Sequence, residues 1–511
     1  MKSYRVYNIL IIIFFILAIS APLVAVNRIP GKISIAENRT LANFPSLKND
    51  NKINTKFNVE FENWLSDNLG FRDEMVKTNT KIQYKLFGKL TKNDTLLGKN
   101  NWLYYVTPDI LKDYQHLNLP SESQLSQWGN SLEKINNYLG KKNIKFIMML
   151  NLDKKTIYPE NYPNTINKVG EFSRTDLLVN YLTNNTNINF FTPYEVLMNA
   201  KKSQTVYSPR FDNGHWNNFG AFIGYTELMN RVKTLLPNVN QLSMDDFNVT
   251  SYKREMKIYN AISFSEDDYN FDLKKSPSAT QTKGILDNFN LVNNNVAYTF
   301  ENSNKDLPKA LIFGDSYFYG FLIPQFAESF SEFTFVHTDN IDKLESIVNY
   351  VNPDIVIYEN VERMFDHTMN ILSNTTESYE DYTEFKNLPI INNPTIWLDY
   401  CNNVPLNEQD KIIINGSNKS VNLVGWAIDS KIKENAYNIF LKIGDKYFPG
   451  NYGIERQSVA EYFGSSRVLK SGFNFNINAD DLRKAGKFSF VIISKDKTYQ
   501  YESNEYQVVI E

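Results

Sequence analysis

Apolar and polar positions follow four different patterns along the chain. From Tyr7 to Val26 the run is almost continuously apolar and uncharged. At about 1.5 Å per residue, about twenty residues span the roughly 30 Å hydrocarbon core of a bilayer. Lys2 and Arg5 precede the run. The positive-inside rule then predicts a single-pass anchor over residues 1–27 in the cell membrane, with the N-terminus cytoplasmic and the main domains extracytoplasmic, periplasmic or at the cell surface. A cleaved signal peptide is the rival reading. Against it, Leu23 to Val26 is a poor small-residue cleavage site, and the apolar run is long for a signal. Residues 28–55 are polar and punctuated by proline, the pattern of a linker.

Helical spacing begins with Phe57, Phe61, Trp64 and Leu65. Residues 95–107 predict a strand pair around a Lys-Asn-Asn turn. Over 121–142 Ser121 can cap a helix whose apolar stripe is Leu125, Trp128, Leu132, Ile135 and Leu139. Residues 144–150 (IKFIMML) have the continuous apolarity of a buried parallel strand. The alternation continues with helices at 174–183, 219–236 and 322–330, and strands at 188–191, 310–314, 333–337 and 354–359. Residues 237–305 are polar and irregular, which suggests insertions. The pattern predicts an α/β domain over 56–390 with a mainly parallel sheet. Past residue 400 the period falls to two, in 420–428, 438–443, 473–477, 488–493 and 506–510, and predicts an all-β sandwich over 400–511.

Composition narrows the function classes. Of 511 residues 42% are hydrophobic and 14% aromatic, which excludes wholesale disorder and suits roughly three domains. A net charge of −3 without a Lys/Arg block argues against a nucleic-acid partner. Cys401 is the single cysteine, so an intramolecular disulfide and a cysteine zinc site are both excluded. No nucleotide loop or metal cluster is legible, and no cofactor is expected.

Two segments carry candidate chemistry. In ALIFGDSYF (310–318) a buried strand runs into Gly314, Asp315 and Ser316. Gly314 permits a tight turn that leaves the Ser316 hydroxyl exposed and its backbone N–H free for an oxyanion. In FDNGHWNNFGA (211–221) Asp212 precedes His215 by three residues, and the chain has only four histidines. A serine hydroxyl needs a base, and the base needs an orienting carboxylate. Asp–x–x–His supplies both from one loop, with Trp216 placed to pack behind the imidazole. Taken singly, the first motif also fits a helix cap and the second a surface turn.

Gly-Asp-Ser with Asp–x–x–His is the signature of SGNH-type esterases and acyltransferases. Here the Asp/His element comes first, and that permuted order, with a tryptophan after the histidine, resembles the alginate O-acetyltransferase family of SGNH-like proteins. ENRTLANFP (37–45), WLSDNLGFRD (64–73), LLGKNNWLYY (96–105), LNLDKKTIYPENYP (150–163) and PDIVIYENVER (353–363) are similar to stretches of the same family. The family usually has Asp–x–His–Trp, whereas here Asn213 holds that acid position. A wider turn from Asp212 is therefore expected, the alternative being a weakly oriented histidine.

The resemblance implies an SGNH-like, flavodoxin-like parallel sheet flanked by helices. It also implies a two-step reaction: Ser316 takes an acetyl group with His215 as base and Asp212 holding its tautomer, and a carbohydrate hydroxyl then accepts it. A membrane-bound O-acyltransferase partner is implied as the acetyl source. Asp153, Lys154, Trp216, Tyr317, Glu359 and Arg363 are candidates to line the substrate cleft; buried ion pairs are the alternative for the charged ones. GWAID (425–429), ERQSVAEYF (455–463) and SGFNFNI (471–477) resemble a β-sandwich attached to bacterial surface-glycan enzymes. Its Trp426, Tyr462 and Phe473 are expected in the core rather than as sugar platforms. Three readings stay open: an O-acetyltransferase acting on a cell-surface or exopolysaccharide, a polysaccharide acetylesterase with the same triad, and a non-catalytic glycan-binding scaffold in polysaccharide export.

Overall fold

A computed structural model describes residues 2–49, 52–375, 379–406 and 410–511. Residues 1, 50–51, 376–378 and 407–409, which fall in the expected anchor, linker, α/β and sandwich segments, lie outside the described residues. Helix α1 (Lys2–Val24) contains a 19-residue stretch, Val6–Val24, of mean hydropathy 2.5, none of it buried. It is long and apolar enough to cross a membrane.

The segment expected to be a linker carries short paired strands. Short hairpin strands at Ile33–Ser34 and Arg39–Thr40 lie against α2 (Phe57–Asn68) and α3 (Arg72–Phe87). Ser34 Oγ donates to Asp73 (2.5 Å), and Arg39 holds Asp67 with both terminal nitrogens (2.7 and 2.6 Å). These polar ties leave no apolar period, so hydrophobic patterning misses them.

The central sheet contains β1 (Lys145–Asn151), β2 (Phe190–Phe191), β5 (Ala279–Thr282), β6 (Tyr298–Asn302), β7 (Lys309–Gly314), β8 (Glu332–His337) and β9 (Ile355–Val361). Its order is β5-β6-β8-β7-β9-β1-β2, parallel from β8 to β2, with β5 and β6 antiparallel at one edge. Counted from β7 as the first strand, the parallel part reads second-first-third-fourth-fifth. That is the flavodoxin-like order, circularly permuted. The switch in direction falls between β7 and β9, above which such sheets bind ligands.

Both faces of this sheet are covered, which explains its continuous apolar strands. Ile147, Met149, Ile312 and Ile357 pack with Phe222, Tyr225 and Leu228 of α6 (Asn218–Leu235). The alternate residues Phe146, Met148, Leu311 and Val356 pack with Trp128, Leu132 and Ile135 of α4 (Glu122–Lys141) and Leu178 and Leu182 of α5 (Arg174–Asn185). A capping box between Ser121 and Gln124 starts α4.

Residues 237–305 are not irregular. They form a long antiparallel hairpin, β3 (Phe247–Ile258) with β4 (Ile262–Leu273), followed by the sheet strands β5 and β6. The hairpin's inward positions include Arg254, Glu266 and Asp268, so it presents no apolar alternation.

The C-terminal region is a two-sheet sandwich whose core unites Leu398, Leu423, Phe473 and Phe475 with Leu441, Phe490 and Ile492. It begins before residue 400: Ile390–Ile391 pairs with Gln500–Tyr501, and Tyr382 and Phe385 pack against Phe440. The α/β domain therefore ends earlier than the expected residue 390. Phe473 is fully buried, but Trp426 is only partly so and Tyr462 is 82% exposed, so the expectation that all three are core fails for Tyr462.

Candidate active site

The permuted topology brings the two motifs together at the carboxyl end of the central strand β7. Strand β7 ends at Gly314, where a Cβ would lie 2.8 Å from the Phe335 ring and 3.1 Å from Glu359 Oε2. Only glycine fits this approach. Asp315 then caps the short helix α7 (Ser316–Tyr319): its Oδ1 accepts the Tyr317 N–H at 2.8 Å. Its Oδ2 accepts the Val361 N–H at 2.7 Å, and its own N–H donates to Glu359 at 2.9 Å. Asp315 thus ties the end of β7 to the end of β9 and fixes the corner from which Ser316 projects. As the first residue of α7, Ser316 has a backbone N–H without an intrahelical acceptor, suited to an oxyanion.

Asp212 and His215 lie on the loop before α6. Asp212 Oδ1 accepts the backbone N–H groups of Gly214 (2.6 Å) and His215 (2.8 Å), folding the loop into a tight side-chain-closed turn. The turn swings Oδ2 to 2.9 Å from His215 Nδ1, and His215 Nε2 lies 2.8 Å from Ser316 Oγ. The three-residue spacing is therefore met by a wider turn. Asn213, at the family's usual acid position, faces away: its Nδ2 donates to the Asp94 carbonyl (3.1 Å) and Thr95 Oγ1 (2.8 Å). Burial pushes the Asp212 carboxyl upward, but the hydrogen bond and charge of His215 outweigh it and hold it well below the usual carboxylate range. An anionic Asp212 favours the Nδ1–H tautomer, which leaves Nε2 free to accept the Ser316 proton. The Asp212 and His215 side chains keep 31% and 23% exposure, enough for a substrate to reach them.

The residues expected along the cleft occupy a different place. Trp216 is fully buried and its indole N–H donates to the Tyr317 carbonyl at 3.1 Å. Tyr317 is fully buried and its hydroxyl donates to the Gly214 carbonyl at 2.6 Å, strutting the histidine loop from the serine helix. Glu359 is fully buried, accepting from Asn151 at 2.6 Å and from the Asp315 N–H. Asp153 pairs with Arg363, whose guanidinium lies over the rings of Tyr317 (5.3 Å) and Tyr105 (5.6 Å). Lys154 donates to the carbonyls of Leu103 (2.8 Å) and Asp212 (2.5 Å). These six side chains support the site from below. Burial pulls the Lys154 amine down to about 7. Burial also pushes Glu359 well above the usual carboxylate range, with the adjacent Asp315 adding to it. The support role of Asp315 escaped the sequence reading, although aspartate two residues before an N–H at a helix start is a capping signature.

Residues 95–271 match the family model described as SGNH hydrolase-like domain, acetyltransferase AlgX. The matched span holds Asp212 and His215 and ends before Ser316. No curated protein matches the chain. Among solved structures, Bacillus cereus PatB1 is similar at 14% identity and a TM-score of 0.41, covering 54% of this chain and 96% of that one. The O-acetyltransferase domain of Pseudomonas putida AlgJ is similar at 13% identity and a TM-score of 0.36, covering 55% and 98%. Pseudomonas aeruginosa AlgX, at 13% identity and a TM-score of 0.32, covers 84% and 93%. Residues 95–271 are thus similar to the SGNH hydrolase-like acetyltransferase domain of AlgX.

Proposed function

We propose that the protein is an O-acetyltransferase that moves acetyl groups onto a cell-surface or exported polysaccharide through a serine acyl-enzyme. The observation that carries this reading is the unbroken hydrogen-bond chain Asp212–His215–Ser316, two members of which lie within the span similar to an acetyltransferase domain. In the first step Ser316 Oγ attacks the acetyl carbonyl, its proton passes to His215 Nε2, and the donor's leaving group departs with that proton. In the second step a sugar hydroxyl attacks the acetyl-serine ester. His215 takes the sugar proton and returns it to Ser316 Oγ as the ester breaks. The Ser316 N–H serves as one oxyanion donor.

The apolar helix α1 supports anchoring with the remaining domains extracytoplasmic. The acetyl donor would then be handed over by a membrane-bound O-acyltransferase. In the sandwich, Trp397 is 47% exposed and stands across the sheet from partly buried Trp426, which supports sugar stacking there.

Incubation of the protein with an activated acetyl ester, with and without oligosaccharide, tests the reading. Acetylated oligosaccharide that disappears with Ser316→Ala supports it. Free acetate alone, unchanged by oligosaccharide, would instead make the protein an esterase. Neither product, with glycan binding intact, would make it a scaffold.

A further inference from the structure

The carboxylate of Glu266 lies outside the Asp212–His215–Ser316 chain, yet it grips the loop that carries Asp212. Glu266 sits on β4 directly across from Arg254 on β3. All its acceptor capacity is used. Oε2 accepts the backbone N–H groups of Arg210 (2.6 Å) and Phe211 (3.0 Å). Oε1 accepts the Ser208 hydroxyl (2.7 Å) and pairs with Arg254 (2.7 Å). The Ser208 oxygen in turn accepts the Asp212 N–H at 2.7 Å. On the opposite side of that residue the Lys154 amine holds the Asp212 carbonyl. The backbone of Asp212 is therefore fixed at its N–H by an anion acting through one hydroxyl, and at its C=O by the Lys154 amine.

The hairpin is itself braced. Arg254 spans to Asp268 at 2.8 Å and covers the Phe211 ring at 4.5 Å. Asp268 accepts the Asn218 N–H at 3.2 Å, where α6 begins. Ser208 is fully buried and Glu266 is 9% exposed, so water does not substitute for either. A glutamine at 266 has one acceptor oxygen for these partners, and its NH2 would face a donor already present.

We propose that Glu266 is a positioning residue for Asp212, acting through Ser208 to hold the carboxylate at hydrogen-bonding distance from His215; the proposal rests on the triad reading above. The other ties on the loop, from Lys154 to the Asp212 carbonyl, from Asn213 to Asp94 and from Tyr317 to the Gly214 carbonyl, leave the Asp212 N–H to Ser208. Misplacement of a reacting group by about 1 Å costs about 10²-fold in rate.

The test uses the full chain and three variants: Glu266→Gln, Ser208→Ala and Asp212→Asn, the first two also combined with the third. Two readouts separate positioning from bulk stabilisation. One is kcat and KM for acetyl-ester turnover. The other is the tautomer of His215 by 15N NMR of histidine-labelled protein, which holds four histidines. Glu266→Gln is expected to lower kcat about 10²-fold with KM within about twofold, and to lose the Nδ1–H signature of His215. Ser208→Ala, which leaves the Glu266–Arg254 pair in place, is expected to lower kcat about tenfold in the same manner. In the Asp212→Asn background neither change lowers kcat further, because both act through that carboxylate. A fully multiplicative loss in the double variants, or an unchanged His215 signal in both single variants, would overturn the proposal. Should Glu266→Gln fail to fold, Ser208→Ala decides by the same two readouts. Should the wild type turn over no acetyl ester, the enzyme reading fails, while the His215 tautomer still decides whether Glu266 positions Asp212.

Discussion

Asp212→Asn is the change that isolates orientation of the histidine from everything else the loop does. An asparagine Oδ1 can still accept the Gly214 and His215 N–H groups, so the tight turn persists. What is lost is the anion 2.9 Å from His215 Nδ1. An amide NH2 in that place repels an Nδ1–H and favours an Nδ1 acceptor, which puts the proton on Nε2. That proton then points at Ser316 Oγ, 2.8 Å away, and the base can no longer receive one. The comparable change in a Ser-His-Asp triad costs about 10⁴ in rate, or about 5 kcal/mol of transition-state stabilisation. Initial rates of acetyl-ester turnover, together with circular dichroism to establish folding, measure it. Asn213→Asp added to Asp212→Asn should restore nothing, because the side chain at 213 projects toward Asp94 and Thr95, on the far side of the turn from His215. A loss below tenfold in Asp212→Asn, or full rescue by Asn213→Asp, would refute the reasoning.

Three further outcomes follow from the packing and the charges. The folded pKa of Lys154, about 7, lies below its unfolded value near 10.5, so between these values the unfolded chain binds one more proton and stability rises with pH. Against Lys154→Met, wild type should gain about 2 kcal/mol in urea unfolding between pH 7.5 and 9.5; a parallel response in the two proteins would contradict the shift. Gly224→Ala would place a Cβ 2.5 Å from the Trp216 ring, an overpacking cost of about 1–3 kcal/mol with a changed tryptophan emission; an unchanged melting curve would count against the packing. Trp397→Ala should weaken retention on the polysaccharide without altering acetyl-ester turnover, and retention equal to wild type would remove this residue as a sugar platform.

Much of the α/β core was legible because burial leaves a period. Leu125, Trp128, Leu132 and Ile135 share one helix face against the sheet, and the runs at 146–150 and 355–358 are apolar throughout because helices cover both sides. The permuted motif order, Asp/His before Ser, has its structural counterpart in the strand order β8-β7-β9-β1-β2. The hairpin β3–β4 was illegible for the opposite reason. Its inward-facing Arg254, Glu266 and Asp268 satisfy one another and the Asp212 loop, and a hydrophobicity pattern scores such residues as solvent-facing. The same blindness left Asp153, Glu359 and Arg363 open between a cleft and buried ion pairs. A charged residue at a strand end looks alike in sequence whether its partner is a ligand or, as here, another buried side chain. The segment before α2 misled because Arg39–Asp67 and Ser34–Asp73 pairs hold it without any apolar stripe.

A covalent acetyl group on Ser316 is the species on which the proposed reaction stands. Brief exposure of the protein to an activated acetyl ester, acid quenching and peptide mass mapping would detect it. One acetyl group should be found on the peptide containing Ser316. It should be chased by oligosaccharide into an acetylated glycan, and it should be absent in Ser316→Ala. Glycan acetylation that proceeds at the wild-type rate in Ser316→Ala, or an acetyl group that forms only elsewhere, would contradict the account.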